Sequence, residues 1–112
     1  MMRILFDHGA PRGLMSLLVG HSVVAASDKG WDRLKNGALL KAAEEDGFEL
    51  LLTTDRRIQY QQNLKDQTLA IVVLTGTTKW SQVRLHCEAI AAAVNAAQKG
   101  LTPEVEIPFP SK

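Results

Sequence analysis

The chain has 112 residues, a length at which one hydrophobic core is expected. Hydrophobic residues make up 46% and charged residues 22%, a balance that excludes disordered and fibrous classes of protein. Thirteen basic residues against twelve acidic ones leave a net charge of +1, which argues against a strongly basic duplex-DNA binder. We therefore expect one domain over 1–112, with a core over about 1–99 and a Pro-rich tail or short edge strand over 100–112.

Cysteine usage and hydropathy exclude further classes. The single cysteine, Cys87, rules out an intramolecular disulfide framework and a zinc site with several thiolates. No run approaches the roughly 18 apolar residues of a membrane span. The first strand-like run begins at once, without the hydrophobic region of a signal peptide. We expect a cytoplasmic protein without membrane contacts.

The first half of the chain predicts two strands, two helices and a loop. The run from Arg3 to Phe6 is mostly apolar without polar alternation, which is typical of a strand covered on both faces. A helix follows, opened by Pro11 and ended by Gly20. The remaining elements are a strand over 21–25, a polar loop over 27–36 and a helix over 37–46.

The second half continues the alternation. A strand over 48–53, a short helix around 57–63 and a strand over 69–74 lead to a turn at 75–78. Apolar residues then recur at three- and four-residue spacing from Trp80 to Ala97, which predicts a helix of about five turns. Thr78 or Ser81 is expected to cap this helix at its N-terminus.

Strands that alternate with helices predict an α/β fold with three layers. We expect a mostly parallel sheet of four to five strands between helices. In such sheets the functional site lies beyond the carboxyl ends of the strands. That rule directs attention to the residues just after each predicted strand, which are Asp7, the loop after Ala25, Asp55 and Thr75.

Asp7 and Asp55 form the first candidate site. If their strands are neighbours, two carboxylates converge, and a divalent cation would relieve their repulsion. Mg²⁺ or Mn²⁺ at such a place can activate a water molecule and stabilise charge that develops on a phosphate. The alternative is that each aspartate caps the helix that follows it, a role worth about 1 kcal/mol.

The stretch over 53–63 is the second candidate, because it is dense in hydrogen-bond donors. Arg56 and Arg57 could pair with phosphates, Tyr60 could stack on a base, and Thr54 and Gln61 could bind polar groups of a nucleic acid. The alternative is a solvated helix face with Tyr60 packed partly inward.

Several segments together resemble the small PIN-like proteins of bacteria, which are grouped with the PIN-domain nucleases. The resemblance covers about the first 75 residues and also the start of the later helix. It rests on Leu5-Phe6-Asp7, Lys29-Gly30-Trp31, Leu34-Lys35-Asn36-Gly37-Ala38-Leu39-Leu40, Leu52-Thr53-Thr54-Asp55, Tyr60-Gln61-Gln62-Asn63-Leu64 and Thr78-Lys79-Trp80. It implies a PIN-like fold, a ribonuclease that depends on Mg²⁺ or Mn²⁺, and the toxin half of a toxin–antitoxin pair.

Carried over by position, Asp7 matches the family's first acidic residue and Asp55 matches the acidic residue after the third strand. Relatives commonly carry another acid at the start of the second long helix, where this chain has Asn36 and Ala38. Asn36 offers a carbonyl oxygen without a negative charge, which weakens binding of a hard cation. Asp28 or Asp32 in the preceding loop is an alternative ligand.

The leading hypothesis is a metal-dependent ribonuclease in which Asp7 and Asp55 hold the metal, Asn36 assists, and Arg56 or Arg57 neutralises phosphate charge. Its expected partners are RNA, a cognate antitoxin and a second copy of the chain in a homodimer. The alternative is a PIN-like domain without catalysis that binds RNA or a protein. A third alternative is a structural subunit that docks through the helix over 80–97.

Overall fold

All five strands of the computed structural model lie in one parallel sheet. The structure describes residues 2–34, 36–57, 69–99 and 102–110. The strands are β1 (Arg3–Phe6), β2 (Ser22–Ala25), β3 (Leu50–Thr53), β4 (Ala70–Gly76) and β5 (Glu104–Ile107). Their spatial order is β2-β1-β3-β4-β5, and every neighbouring pair is parallel. The predicted α/β fold is confirmed, and β5 is an edge strand within the tail.

The strand order reverses direction once. From β1 the chain moves to β2 on one side, and it then returns to place β3 on the other side of β1. A crevice opens between the carboxyl ends of two strands where the chain turns in opposite directions from them, and ligands of doubly wound sheets bind there. In this chain the reversal lies between β1 and β3.

Helices cover both faces of the sheet. The first is α1 (Asn36–Glu45), and later come α2 (Trp80–Val83) and α3 (Cys87–Ala96). Side chains of a strand alternate between the two faces, so Leu5 packs with α1, whereas Ile4 and Phe6 pack with α2 and α3. Two buried clusters result. One contains Leu5, Leu39, Leu40, Ala43, Leu51, Ile71 and Val73, and the other contains Ile4, Phe6, Leu50, Leu52, Val72, Val83, Ile90 and Val94.

The helix predicted over 11–20 is wrong in type and length. The segment forms a 3-10 helix at Arg12–Ser16 followed by turns to Gly20. Gly13 and Ser16 are weak helix formers in so short a run, which explains why no further turns are added. Leu14 and Leu18 are nevertheless buried as the apolar face requires.

The long helix predicted from Trp80 is interrupted. A 3-10 turn at Arg84–His86 separates α2 from α3, and the thiol of Cys87, the first residue of α3, donates a hydrogen bond to the Arg84 carbonyl at 3.0 Å. The expected caps are also wrong: the residue before α2 is Lys79, and its N–H is bound by the Thr77 hydroxyl at 3.2 Å. Among the described helices none has the length and apolar character of a membrane span.

A charged cluster ties the end of α1 to β1. Asp46 lies 3.0 Å from Lys29 Nζ and 3.5 Å from Arg3 Nη2, and a second guanidinium nitrogen of Arg3 donates to the Asp46 carbonyl. The Arg3 guanidinium also lies over the Phe48 ring, 4.4 Å from its centroid. The hydrogen bond from Lys29 is the largest influence that lowers the pKa of the Asp46 carboxyl below its ordinary value.

This cluster predicts a pH dependence of stability. A carboxyl whose pKa is lower in the folded state stabilises the protein above its unfolded pKa, and this contribution disappears as the pH falls through the folded pKa. We expect Asp46→Asn to lose less stability than the wild type between pH 6 and pH 3, measured by urea unfolding at each pH. Glu45→Gln, at an exposed position one residue earlier, is the control and should behave like the wild type. An equal loss in Asp46→Asn and the wild type would contradict the prediction.

Candidate functional site at the carboxyl ends of β1 and β3

The two aspartates predicted from the sequence lie on either side of the point where the strand order reverses. Phe6 of β1 pairs with Leu52 of β3, and the N–H of Asp7 continues this pairing to the Leu52 carbonyl at 2.9 Å. Asp55 follows two residues after the end of β3. The prediction that two neighbouring parallel strands bring these residues to one edge of the sheet is confirmed.

Neutral donors hold the Asp7 carboxylate. Its Oδ1 accepts the backbone N–H of His8 at 2.7 Å, and its Oδ2 accepts the hydroxyl of Thr53 at 2.7 Å. A carboxylate has about four lone-pair sites, so each oxygen keeps acceptor capacity after these bonds. The side chain is therefore fixed in orientation, and neither of these two hydrogen bonds comes from a cationic group.

Thr53 connects the two aspartates, and the sequence reasoning did not select it. Its hydroxyl donates to Asp7 and accepts the backbone N–H of Asp55 at 3.1 Å. Thr53 is fully buried, and it is one of the few buried polar residues of the described chain. In the sequence, its role is indicated only by a hydroxyl-bearing residue at the carboxyl end of an otherwise apolar strand.

Removal of this hydroxyl should destabilise the protein. Thr53→Val keeps the side-chain shape but leaves the Asp55 N–H without its acceptor and Asp7 Oδ2 without the donor it has in the wild type. Since a buried polar group left without a partner costs about 1–3 kcal/mol, we expect the free energy of unfolding to fall by that amount. Urea unfolding measures the change, and Thr53→Ser, which retains the hydroxyl, should leave the geometry at Asp7 intact. A Val variant as stable as the wild type would show that the Thr53 hydroxyl contributes nothing to stability.

Asp55 is held differently, because a cation faces it. Arg57 Nε lies 3.1 Å from Oδ1 and Arg57 Nη2 lies 3.5 Å from Oδ2, while the Arg57 backbone N–H donates to Oδ1 at 3.0 Å. The hydrogen bond from the Arg57 side chain is the largest influence that lowers the pKa of the Asp55 carboxyl.

The capping alternative applies to Asp55 but not to Asp7. Asp55 accepts the N–H of the residue two positions later, as a capping aspartate does. Asp7 caps no helix, because the 3-10 helix after it begins beyond Pro11 and has no side-chain cap. Capping thus accounts for one contact of Asp55, whereas Asp7 caps no helix.

A cleft of about 460 Å³ opens at this edge of the sheet. It is lined by Asp7, His8, Gly9, Leu34, Thr54, Asp55 and Arg57. A Cβ at Gly9 would lie 2.3 Å from the Thr54 hydroxyl oxygen, so a larger residue at this position would displace the Thr54 side chain. Both carboxylates, one arginine and one imidazole therefore share one open cleft.

Other residues predicted for the site lie elsewhere or beyond the described residues. Arg56 points to β5, where its Nε lies 3.6 Å from Glu104, and it does not line the cleft. Asn36 begins α1, but its side chain lies outside the part that the structure describes. Tyr60 and Gln61 also lie outside the described residues.

The loop aspartates offered as alternative ligands do not line the cleft. Asp28 is paired with Arg12 at 3.3 Å, and Asp32 lies in an exposed turn. Within the described ranges, no group of three or more His, Cys, Asp or Glu side chains is arranged to hold a metal. A cation held by Asp7 and Asp55 alone would bind through two carboxylates and keep several waters, which is a common state of Mg²⁺ in proteins.

Comparisons with known proteins add no relative. No protein-family model matches the chain, and searches of curated proteins and of solved structures return no significant match.

Proposed function

We propose that the protein is a ribonuclease that depends on Mg²⁺ or Mn²⁺ and that acts at the cleft between β1 and β3. The observation that carries the proposal is the position of Asp7, a charged carboxylate held by two neutral donors at the reversal of the strand order. Doubly wound sheets bind their ligands at this position. The resemblance to PIN-like proteins assigns its first acidic residue to the same position.

In this proposal each residue of the cleft has a separate task. Asp7 and Asp55 hold the cation, and the resemblance to PIN-like proteins suggests Asn36 as a further, neutral ligand. A bound Mg²⁺ or Mn²⁺ would supply a lowered pKa for an attacking water and charge stabilisation at the phosphate. Arg57, which lines the cleft with an exposed side chain, binds an RNA phosphate. Thr53 fixes Asp7 relative to the Asp55 backbone.

The test is cleavage of a mixed single-stranded RNA by the purified protein, with Mn²⁺ in one reaction and EDTA in the other. Cleavage only with Mn²⁺ is the expected result, and cleavage that is insensitive to EDTA would overturn the metal-dependent mechanism.

We also propose that the enzyme is the toxin of a toxin–antitoxin pair. Expression of the wild type should then arrest growth, and co-expression of the antitoxin should restore it.

A second candidate function is an RNA-binding module without catalysis. Two observations favour it: Arg57 occupies Asp55, and no three-acid group is present among the described residues. A cation that binds only the folded state raises the melting temperature by mass action. A melting temperature that responds to Mn²⁺ no more than to equal ionic strength of NaCl would favour the binding module.

A further inference from the structure

The Arg57 guanidinium already pairs with Asp55, one of the two carboxylates proposed as metal ligands. Both oxygens of Asp55 face the guanidinium group, at 3.1 Å from Nε and 3.5 Å from Nη2. Asp7, its partner in the cleft, accepts hydrogen bonds only from a backbone N–H and a hydroxyl among the described contacts. One of the two carboxylates is therefore already neutralised by a cation of the chain itself.

The pair is exposed enough to be exchanged. The Arg57 side chain is 79% exposed and that of Asp55 is 27% exposed. Ion pairs of this kind contribute little to stability, so a competing ion can replace either partner. Arg57 also prefers the planar, bidentate geometry that a phosphate offers as well as a carboxylate does.

We infer that Arg57 is a tethered counter-ion that occupies Asp55 in the free protein and transfers to a phosphate of the bound RNA, which releases Asp55 to the metal ion. The inference rests on the proposed function, since it concerns the order in which that site is filled. It follows that metal and nucleic acid assist each other's binding, as thermodynamic linkage requires.

The first test measures Mn²⁺ affinity without any nucleic acid, from the electron paramagnetic resonance signal of free Mn²⁺. Arg57→Ala should bind Mn²⁺ about two- to fivefold more tightly than the wild type, the range that exposed ion pairs give. Arg56→Ala is the matched control, because it removes the same charge from the adjacent position while its partner, Glu104, lies on β5. The control should change Mn²⁺ affinity less than Arg57→Ala does.

The outcomes separate this inference from the proposed function. Equal Mn²⁺ affinities in Arg57→Ala and Arg56→Ala would show that Arg57 does not compete with the metal ion for Asp55. The proposed metal site would be unaffected by that result. Weaker binding in Arg57→Ala would also overturn the inference and would show that Arg57 positions Asp55 for the metal. If the wild type and both variants bind no Mn²⁺, the proposed metal site fails together with the inference.

The second test measures binding of a fluorescein-labelled DNA decamer by anisotropy, with and without Mn²⁺. DNA lacks the 2′-hydroxyl and serves as a phosphate-bearing probe. Mn²⁺ should improve the DNA affinity of the wild type more than it improves that of Arg57→Ala. The ratio of the two improvements should equal the ratio of Mn²⁺ affinities found in the first test. An identical Mn²⁺ effect on both proteins would overturn the transfer of Arg57 to phosphate.

Discussion

Asp7→Asn should abolish Mn²⁺-dependent RNA cleavage while the fold is kept. Its amide can still accept the His8 N–H, and the Thr53 hydroxyl can rotate to accept from the new N–H₂ group. What disappears is the negative charge that a hard cation requires. Changes to groups that merely support metal ligands cost about 10- to 100-fold, so loss of a ligand charge should lower the cleavage rate by more than about 100-fold.

Single-turnover cleavage with enzyme in excess measures this change, and circular dichroism in EDTA checks the fold. Asp32→Asn is the control, because it removes the same charge from an exposed turn that does not line the cleft. It should cleave like the wild type. Full activity of the Asp7 variant would overturn the proposed mechanism.

Gly76→Ala should cause a large loss of stability. Gly76 ends β4 with a φ of +85°, a left-handed conformation that side chains with a Cβ rarely adopt. A Cβ there would lie 2.0 Å from the Ile107 carbonyl oxygen, which also accepts the N–H of Thr77 at 3.0 Å. Strain and displaced packing each cost about 1–3 kcal/mol, so we expect the free energy of unfolding to fall by about 3 kcal/mol or more.

Gly30→Ala separates the cost of backbone strain from the cost of the contact with Ile107. Gly30 has a φ of +76°, but a Cβ at this position would meet no atom within 4 Å. Its substitution should therefore cost only the backbone term, about 1 kcal/mol. Chemical unfolding of both variants measures the difference, which is assigned to the contact with Ile107. Equal losses would mean that β5 adjusts to the added carbon at no cost.

The sequence predicts the strands well because their burial leaves a clear mark. Leu50 to Leu52 and Ile71 to Leu74 are continuous apolar runs, as a strand buried on both faces requires. The expected adjacency of the strands before Asp7 and Asp55 follows from the same pattern and is confirmed. The type of a short helix is harder to predict, since a few tenths of a kcal/mol per residue decide between 3-10 and α geometry.

The site is only partly readable from the sequence. Residue type and position identify Asp7 and Asp55, because Asp7 directly follows β1 and Asp55 comes two residues after β3. The pairing of Arg57 with Asp55, and of Arg56 with Glu104, depends on side-chain direction in a turn, which no periodicity encodes. The role of Thr53 was not predicted, because threonine is a common residue in strands. Its role becomes visible only when the structure shows its hydroxyl bound to the Asp7 carboxylate.

The hydroxyl of Thr53 has a consequence for spectroscopy. It accepts from one neighbour and donates to the other, so the Asp55 amide, the hydroxyl and the Asp7 carboxylate form a polarised series of dipoles. Any change in charge at Asp7 alters the hydroxyl dipole and therefore the electron density at the Asp55 amide proton. The nuclear magnetic resonance shift of that proton is thus an internal reporter, through which the state of a carboxylate can be followed from the backbone of the neighbouring strand.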